Sequence, residues 1–252
     1  MDDAAWRDGR VFTDLTADTE YTFYARLKET GNYKASLPIQ VTRTTTPTAE
    51  ECFAYSGGTI FGPKVFGARL RVLTIPDYID GVKVTAIGDY AFYNCYGFTG
   101  ALTLPFGIES IGDYAFYNCY GFTGTLTIPT GVTSIGEYVF NSCSGLTGTL
   151  TIPTGVTSIG ECAFSNCSGF TGTLTIPTGV TFIGGYAFFN CSGLTSITIT
   201  NMERVVQVGS QAFHGANADR KIYVPAKFLD DYKNADVLSD HKNRIYAIPD
   251  GE

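Results

Sequence analysis

Two histidines, seven cysteines and an evenly spaced row of carboxylates are the residues of this chain best equipped for chemistry. His214 and His241 could serve as metal ligands or as acid–base groups. A zinc site needs further ligands at metal spacing, and none accompanies them, so they read as surface or cap residues. No Gly-x-Ser-x-Gly elbow is present, and no glycine-rich loop ends in lysine to cradle a phosphate. The expectation is a protein without a cofactor that is not an enzyme.

The cysteines argue for packing. Cys95, Cys119, Cys143, Cys167 and Cys191 recur every 24 residues, close to phenylalanines that keep the same period. In stacked copies their neighbours would stand about one strand spacing apart, but with parallel Cβ vectors that suit a disulfide poorly. They are expected to be buried free thiols acting as small hydrophobes. Cys162 stands where other copies have Tyr90, Tyr114, Tyr138 and Tyr186, and is expected to be more exposed or to reach toward Cys52.

Four further columns are candidates for contact with a partner. Asp89, Asp113, Glu137 and Glu161 share one repeat position and form an acidic row. The row could hold a divalent cation, or each acid could serve the start of its own short helix. Tyr93, Tyr96, Tyr117 and Tyr120 occupy two positions that become Asn, Ser or Phe in later copies. They form either an aromatic binding patch or packing over a thin convex side. Thr103, Thr127, Thr151 and Thr175 should face outward from strands as a flat, neutral, hydrogen-bonding strip, the second candidate face.

These columns exist because the chain repeats. The clearest copies, LTIPTGVTSIGEYVFNSCSGLTGT from Leu126 and LTIPTGVTSIGECAFSNCSGFTGT from Leu150, differ at few positions. In each, Leu-Thr-Ile alternates as a half-buried strand should, and proline then ends it. Gly136 to Phe140 reads as a short helical turn with an acid near its start. One copy cannot bury its own apolar face, but stacked copies can, with their strands in parallel. The sequence Leu194-Thr195-Ser196-Ile197 is a residue shorter than the central Leu-Thr-Gly-Thr-Leu form, so the central copies should carry a bulge.

A strand ending in Ile-Pro, then Ile-Gly, an Ala-Phe pair, and Cys before Leu or Phe closely resembles the BspA-like leucine-rich repeats of bacterial and some protist surface proteins. Ala91-Phe92, Ala115-Phe116, Ala163-Phe164 and Ala187-Phe188 carry the pair, and Val139-Phe140 departs mildly. The resemblance runs from about residue 51 to the C-terminus. It implies a leucine-rich repeat solenoid, a β-rich right-handed α/β superhelix with one parallel sheet, on an extracellular or cell-surface protein.

The remaining sequence sets boundaries. Residues 51–87 should cap the solenoid at its N-terminal end, with a hairpin across Asp80-Gly81; residues 88–200 hold the 24-residue repeats; residues 201–252 hold a degenerate repeat and a C-terminal cap, with a short helix at 226–235 and a closing strand from Ile245. Residues 1–43 lack the repeat. Their alternation at Val11-Phe12, Tyr21 to Arg26 and Ile39 to Val41, and the spacing of Leu15 and Tyr21, resemble part of a fibronectin type III-like sandwich or suit a plain three-stranded meander, in either case a small antiparallel β segment. Residues 44–50 are the linker.

A net charge of −7 excludes a phosphate-binding face, so nucleic acid is not an expected partner, and no apolar run is long enough to insert into a membrane. Met1-Asp2-Asp3 does not open a leader sequence, so a secreted parent would carry its signal and anchor outside this stretch. The leading expectation is an adhesion or protein-interaction module whose partner is a host or matrix protein or a surface glycan. The alternatives are a passive structural spacer and a carbohydrate-binding module.

Overall fold

The computed structural model describes strand segments 21–23, 26–29, 32–35 and 39–41, and residues 53–63, 73, 75–215, 217 and 219–248. Leu15, Cys52 and the linker at 44–50 lie outside the described residues. In the N-terminal segment, Tyr21–Phe23 pairs antiparallel with Ile39–Val41, and Arg26–Glu29 with Asn32–Ala35.

From Phe53 onward the chain winds as a parallel β-solenoid of about 7 turns. The Ser-Ile positions stack copy upon copy: Ser134–Ile135 pairs in parallel with Ser158–Ile159, which pairs with Phe182–Ile183 and then with Gln207–Val208. The Leu-Thr-Ile positions stack on another side, where Gly172–Ile176, Leu194–Ile199, Lys221–Val224 and Ile245–Ala247 make one parallel sheet. Single bridges, Thr127 to Thr151 and Thr151 to Thr175, extend that side through the central copies. Parallel pairing therefore runs down more than one side of the coil. The register shifts between Gly172 and Thr173, where a 24-residue copy meets the shorter one. Gly172 sits at φ 77°, and its counterparts Gly100, Gly124 and Gly148 are also left-handed, so the extra residue of the long copies is a bulge glycine.

The turn side differs from the expected helix. Each copy carries two left-handed residues four apart, such as Tyr90 (φ 56°) with Asn94 (φ 58°), or Tyr138 (φ 54°) with Ser142 (φ 60°). They alternate the direction of the amides. The N–H groups of Ala91, Tyr93 and Cys95 bond back to Gly88, Tyr90 and Phe92 at 3.1–3.2 Å, while those of Tyr90, Phe92 and Asn94 donate to Asp113, Ala115 and Tyr117 of the next copy at 2.7–2.9 Å. A helix would keep every amide within its own segment. Here half of them tie one copy to the next.

Inside the coil the phenylalanines form a column. Phe92, Phe116, Phe140, Phe164 and Phe188 stack in sequence with centroids 5.1–5.5 Å apart, and all are fully buried. At about 1.5–3 kcal/mol for each buried large side chain, this column is a principal source of stability.

The free ends of the sheets are covered. The hairpin Phe53–Ser56 with Thr59–Pro63 closes the N-terminal end, and a second hairpin, Tyr78–Ile79 with Val82–Lys83, turns through left-handed Asp80 and Gly81. At the other end a 3-10 turn (Ala226–Phe228), a short α-helix (Leu229–Asn234) and a 3-10 stretch (Asp236–Arg244) lead into the closing strand Ile245–Ala247. Buried Arg220 finishes the repeat interior, donating from Nη1 to the Phe213 carbonyl, from Nε to that of Leu194 and from Nη2 to that of Cys191. Among the described residues, no helix is long and apolar enough to cross a membrane.

Candidate functional site

The site is built by the turn side, so its geometry follows from the left-handed residues. Because Tyr90, Tyr114 and Tyr138 hold equivalent positions at φ 54–57°, their rings leave the coil in the same direction and stack in one column. Centroid separations are 4.9 Å and 4.6 Å, with the rings within 6° of parallel. Three residues on, Tyr93 and Tyr117 form a second column, stacked at 4.9 Å. The columns touch: Tyr90 meets Tyr93 at 5.6 Å, Tyr114 meets Tyr117 at 5.7 Å, and Tyr117 meets Tyr138 at 6.3 Å. The result is a continuous ridge of five tyrosines.

The four tyrosines singled out from the sequence therefore separate. Tyr93 and Tyr117 belong to the ridge, while Tyr96 and Tyr120 make a stacked pair of their own at 5.7 Å. Tyr93, Tyr96 and Tyr120 are 41%, 53% and 49% exposed, and Tyr117 is half-buried. Reading the sequence missed Tyr90, Tyr114 and Tyr138 as members. They recur in nearly every copy and so do not stand out as variable; the signal is their place three residues before the variable column, close enough for ring contact across a tight turn.

The acids border the ridge, each immediately preceding a residue of the Tyr90 column. Of the two roles expected for them, a cation row or the start of a helix, the aspartates do not fill the second. Asp89 Oδ1 accepts from the backbone N–H of Asp113 at 2.9 Å, and Asp113 Oδ1 accepts from that of Glu137 at 2.7 Å. Each aspartate thus caps the copy above its own. This also explains the glycine of the Ile-Gly step: a Cβ on Gly112 or Gly136 would collide with the aspartate Oδ1 of the preceding copy, and one on Gly160 or Gly184 with that copy's backbone. Glu161 Oε1 instead accepts from the Tyr138 hydroxyl at 3.5 Å. The carboxylates are spread along the coil axis, and among the described residues no three His, Cys, Asp or Glu side chains converge to hold a metal ion.

Two phenols of the ridge feel their surroundings. Burial, followed by the influence of Tyr90, Glu137, Cys162 and Asp113, raises the Tyr114 pKa. Contact with the Cys162 thiol, then burial, raises that of Tyr138 further. Cys162, which holds the next place in the Tyr90 column, is buried at 9% exposure and is a free thiol, contrary to the expectation of a more exposed residue. The five periodic cysteines are also buried. From Cys119 onward each donates its S–H to a phenylalanine carbonyl of the preceding copy, as Cys143 does to Phe116 at 3.1 Å. Burial pushes Cys143 and Cys191 up to about 12, so neither is a nucleophile near neutral pH.

The other side offers a different surface. Thr103, Thr127, Thr151 and Thr175 are all exposed, and Thr125, Thr149 and Thr173 flank them. Register pairing of Thr127, Thr151 and Thr175 makes this face regular and uncharged. His214 and His241 lie in the C-terminal cap. His214 Nδ1 is 3.8 Å from Asp240 Oδ2, and His241 Nδ1 is 3.0 Å from the Arg244 guanidinium.

The sequence matches the BspA type leucine rich repeat region (6 copies) over residues 68–169 and 147–235. No curated protein matches the chain. Among solved structures it is similar to the leucine-rich repeat protein of T. pallidum, at 24% identity and TM-score 0.55, over 69% of this chain and 90% of that one. It is also similar to a leucine-rich repeat protein from Bacteroides ovatus, at 23% identity and TM-score 0.53, over 84% of this chain and 55% of that one. The pneumococcal vaccine antigen PcpA shares 19% identity at TM-score 0.55, over 79% of this chain and 48% of PcpA. The chain thus spans about half the length of the latter two. These likenesses are to the fold.

Proposed function

This chain belongs to the BspA-type leucine-rich repeat family, and on that footing we propose that it is a protein-interaction or adhesion module of a cell-surface or secreted protein. One observation carries the reading. Five tyrosines are held in a rigid stacked ridge on the outside of the coil, confined to the first three regular copies, with Tyr96 and Tyr120 as a second exposed pair. A spacer has no use for such a local feature. Rings already fixed by stacking lose little side-chain freedom when a partner covers them, which is what makes tyrosine an effective contact residue. The antiparallel pairing of Tyr21–Phe23 with Ile39–Val41 supports a small β segment before the solenoid, which we read as part of a fibronectin type III-like unit.

The contacted partner on this reading is a host or matrix protein. A surface glycan is the second reading, and the ring geometry disfavours it at the ridge, since stacking within the columns covers the flat faces that sugars prefer. The test is an array of matrix proteins and glycans probed with the intact chain and with a variant carrying Tyr93→Ala, Tyr96→Ala, Tyr117→Ala and Tyr120→Ala. The variant should melt cooperatively yet lose the proteins bound by the parent. Undiminished binding by a folded variant would refute the assignment.

A further inference from the structure

We propose that the tyrosine ridge and its bordering carboxylates dock an extended, arginine-bearing segment of a protein partner. This inference rests on the ridge being the contact surface and goes on to specify the chemistry of what it contacts. Residues 88–200 contain no lysine or arginine, while Asp89, Glu109, Asp113, Glu137 and Glu161 all lie within them. Four of these acids stand in the column beside the tyrosines, one per copy, and Asp89, Glu137 and Glu161 are exposed. No cation of the repeats balances them, so a docked cation would relieve repulsion that the fold itself leaves in place.

The donors and acceptors point the same way. Asp89 and Asp113 each commit Oδ1 to a backbone N–H of the next copy. A carboxylate used through one oxygen retains acceptor capacity on the other. Stacking of Tyr90 on Tyr114, Tyr114 on Tyr138 and Tyr93 on Tyr117, with planes within 12° of parallel, covers ring faces within the columns, so a partner would meet edges and hydroxyls. The surface is thus a strip of carboxylate and phenol oxygens backed by ring edges. A guanidinium suits it better than an ammonium. Its planar fork satisfies two acceptors at once, and its weaker hydration lowers the cost of settling against aromatic carbon. An acidic partner would face like charge along the whole strip.

The test uses the intact chain and fluorescein-labelled peptides in which glycine alternates with arginine, lysine or glutamate. Fluorescence anisotropy should show the arginine peptide binding more tightly than the lysine peptide, and the glutamate peptide not at all. Raising the salt from about 50 mM to about 300 mM should weaken the arginine peptide about tenfold or more. A variant with Asp89→Asn, Asp113→Asn, Glu137→Gln and Glu161→Gln keeps an amide oxygen for each backbone contact and should also lose about tenfold. Tyr93→Ala with Tyr117→Ala should weaken the peptide at unchanged charge. Absence of arginine-peptide binding, equal binding by the neutralised variant, or indifference to the tyrosine pair would each overturn the proposal. If the neutralised variant retains the array proteins that the tyrosine variant loses, the cationic partner is wrong while the ridge remains the contact surface. If the tyrosine variant retains them, the wider reading fails as well.

Discussion

At the scale of single residues, the repeated cysteine shows how one side chain can meet several demands. Its position has room for a small apolar group and faces a carbonyl of the preceding copy, and a thiol fills the first while donating to the second. Burial and period were legible in the sequence, but the S–H donation was not, because it joins residues 27 positions apart across two copies. Replacing Cys143 with Asp buries a charge with no partner and should cost more than about 3 kcal/mol. Cys143→Ala removes a weak donor and a little volume and should cost about 1 kcal/mol. Urea unfolding midpoints separate the two. Thiol labelling should be negligible for the five periodic cysteines in the native protein and complete after denaturation; rapid native labelling would contradict their burial.

Elements were read unevenly. The strands followed from Leu-Thr-Ile-Pro, since alternation and a terminating proline leave few other choices. The turn side was misread as helical because apolar residues around an acid suit a helix start, and nothing in a tyrosine announces a left-handed backbone. Asn94, Asn118, Asn166 and Asn190 did carry that signal, asparagine being the residue after glycine that best tolerates φ near 57°. Two of their amide pairs also form a ladder, Asn118 to Asn94 and Asn190 to Asn166, each at 3.0 Å. The C-terminal cap was visible as a helix and a closing strand. Arg220 was not, since a buried arginine held by carbonyls has no sequence signature. Arg220→Met leaves those acceptors short of donors and should destabilise by about 2–3 kcal/mol, measured by thermal or urea unfolding. The cap should also respond to pH. Burial first, then Arg244 and His214, lowers the His241 pKa from 6.5 to about 4. Between those values the unfolded chain binds a proton that the folded chain does not, so stability falls as pH drops from about 6.5 toward about 4. Protection factors for amide exchange at Ile245–Ala247 should fall as the pH drops through that window, and His241→Gln should flatten the response.

At the scale of the whole molecule, the period of 24 determined the architecture, because residues at one repeat position must form a column once the copies stack. That reasoning located the acids, the threonines and the variable tyrosines before any coordinates, yet it could not show which columns touch. Contact between the Tyr90 and Tyr93 columns depends on a turn tight enough to bring residues three apart together, a property of backbone angles. We propose that the composition change near Thr44 to Glu50 is a division between the N-terminal segment and the solenoid. Limited proteolysis should cut there before any site within 100–190, and early cleavage among the repeats would contradict the division. On the proposed reading the tyrosine side carries binding and the threonine side does not. Two folded variants decide between them on the same array of matrix proteins: Tyr93→Ala with Tyr117→Ala, and Thr127→Val with Thr151→Val and Thr175→Val. At about 2 kcal/mol per desolvated tyrosine, the first should lose more than about tenfold in affinity and the second almost none. Full binding by the tyrosine variant, with loss in the threonine variant, would place the contact surface on the threonine side instead.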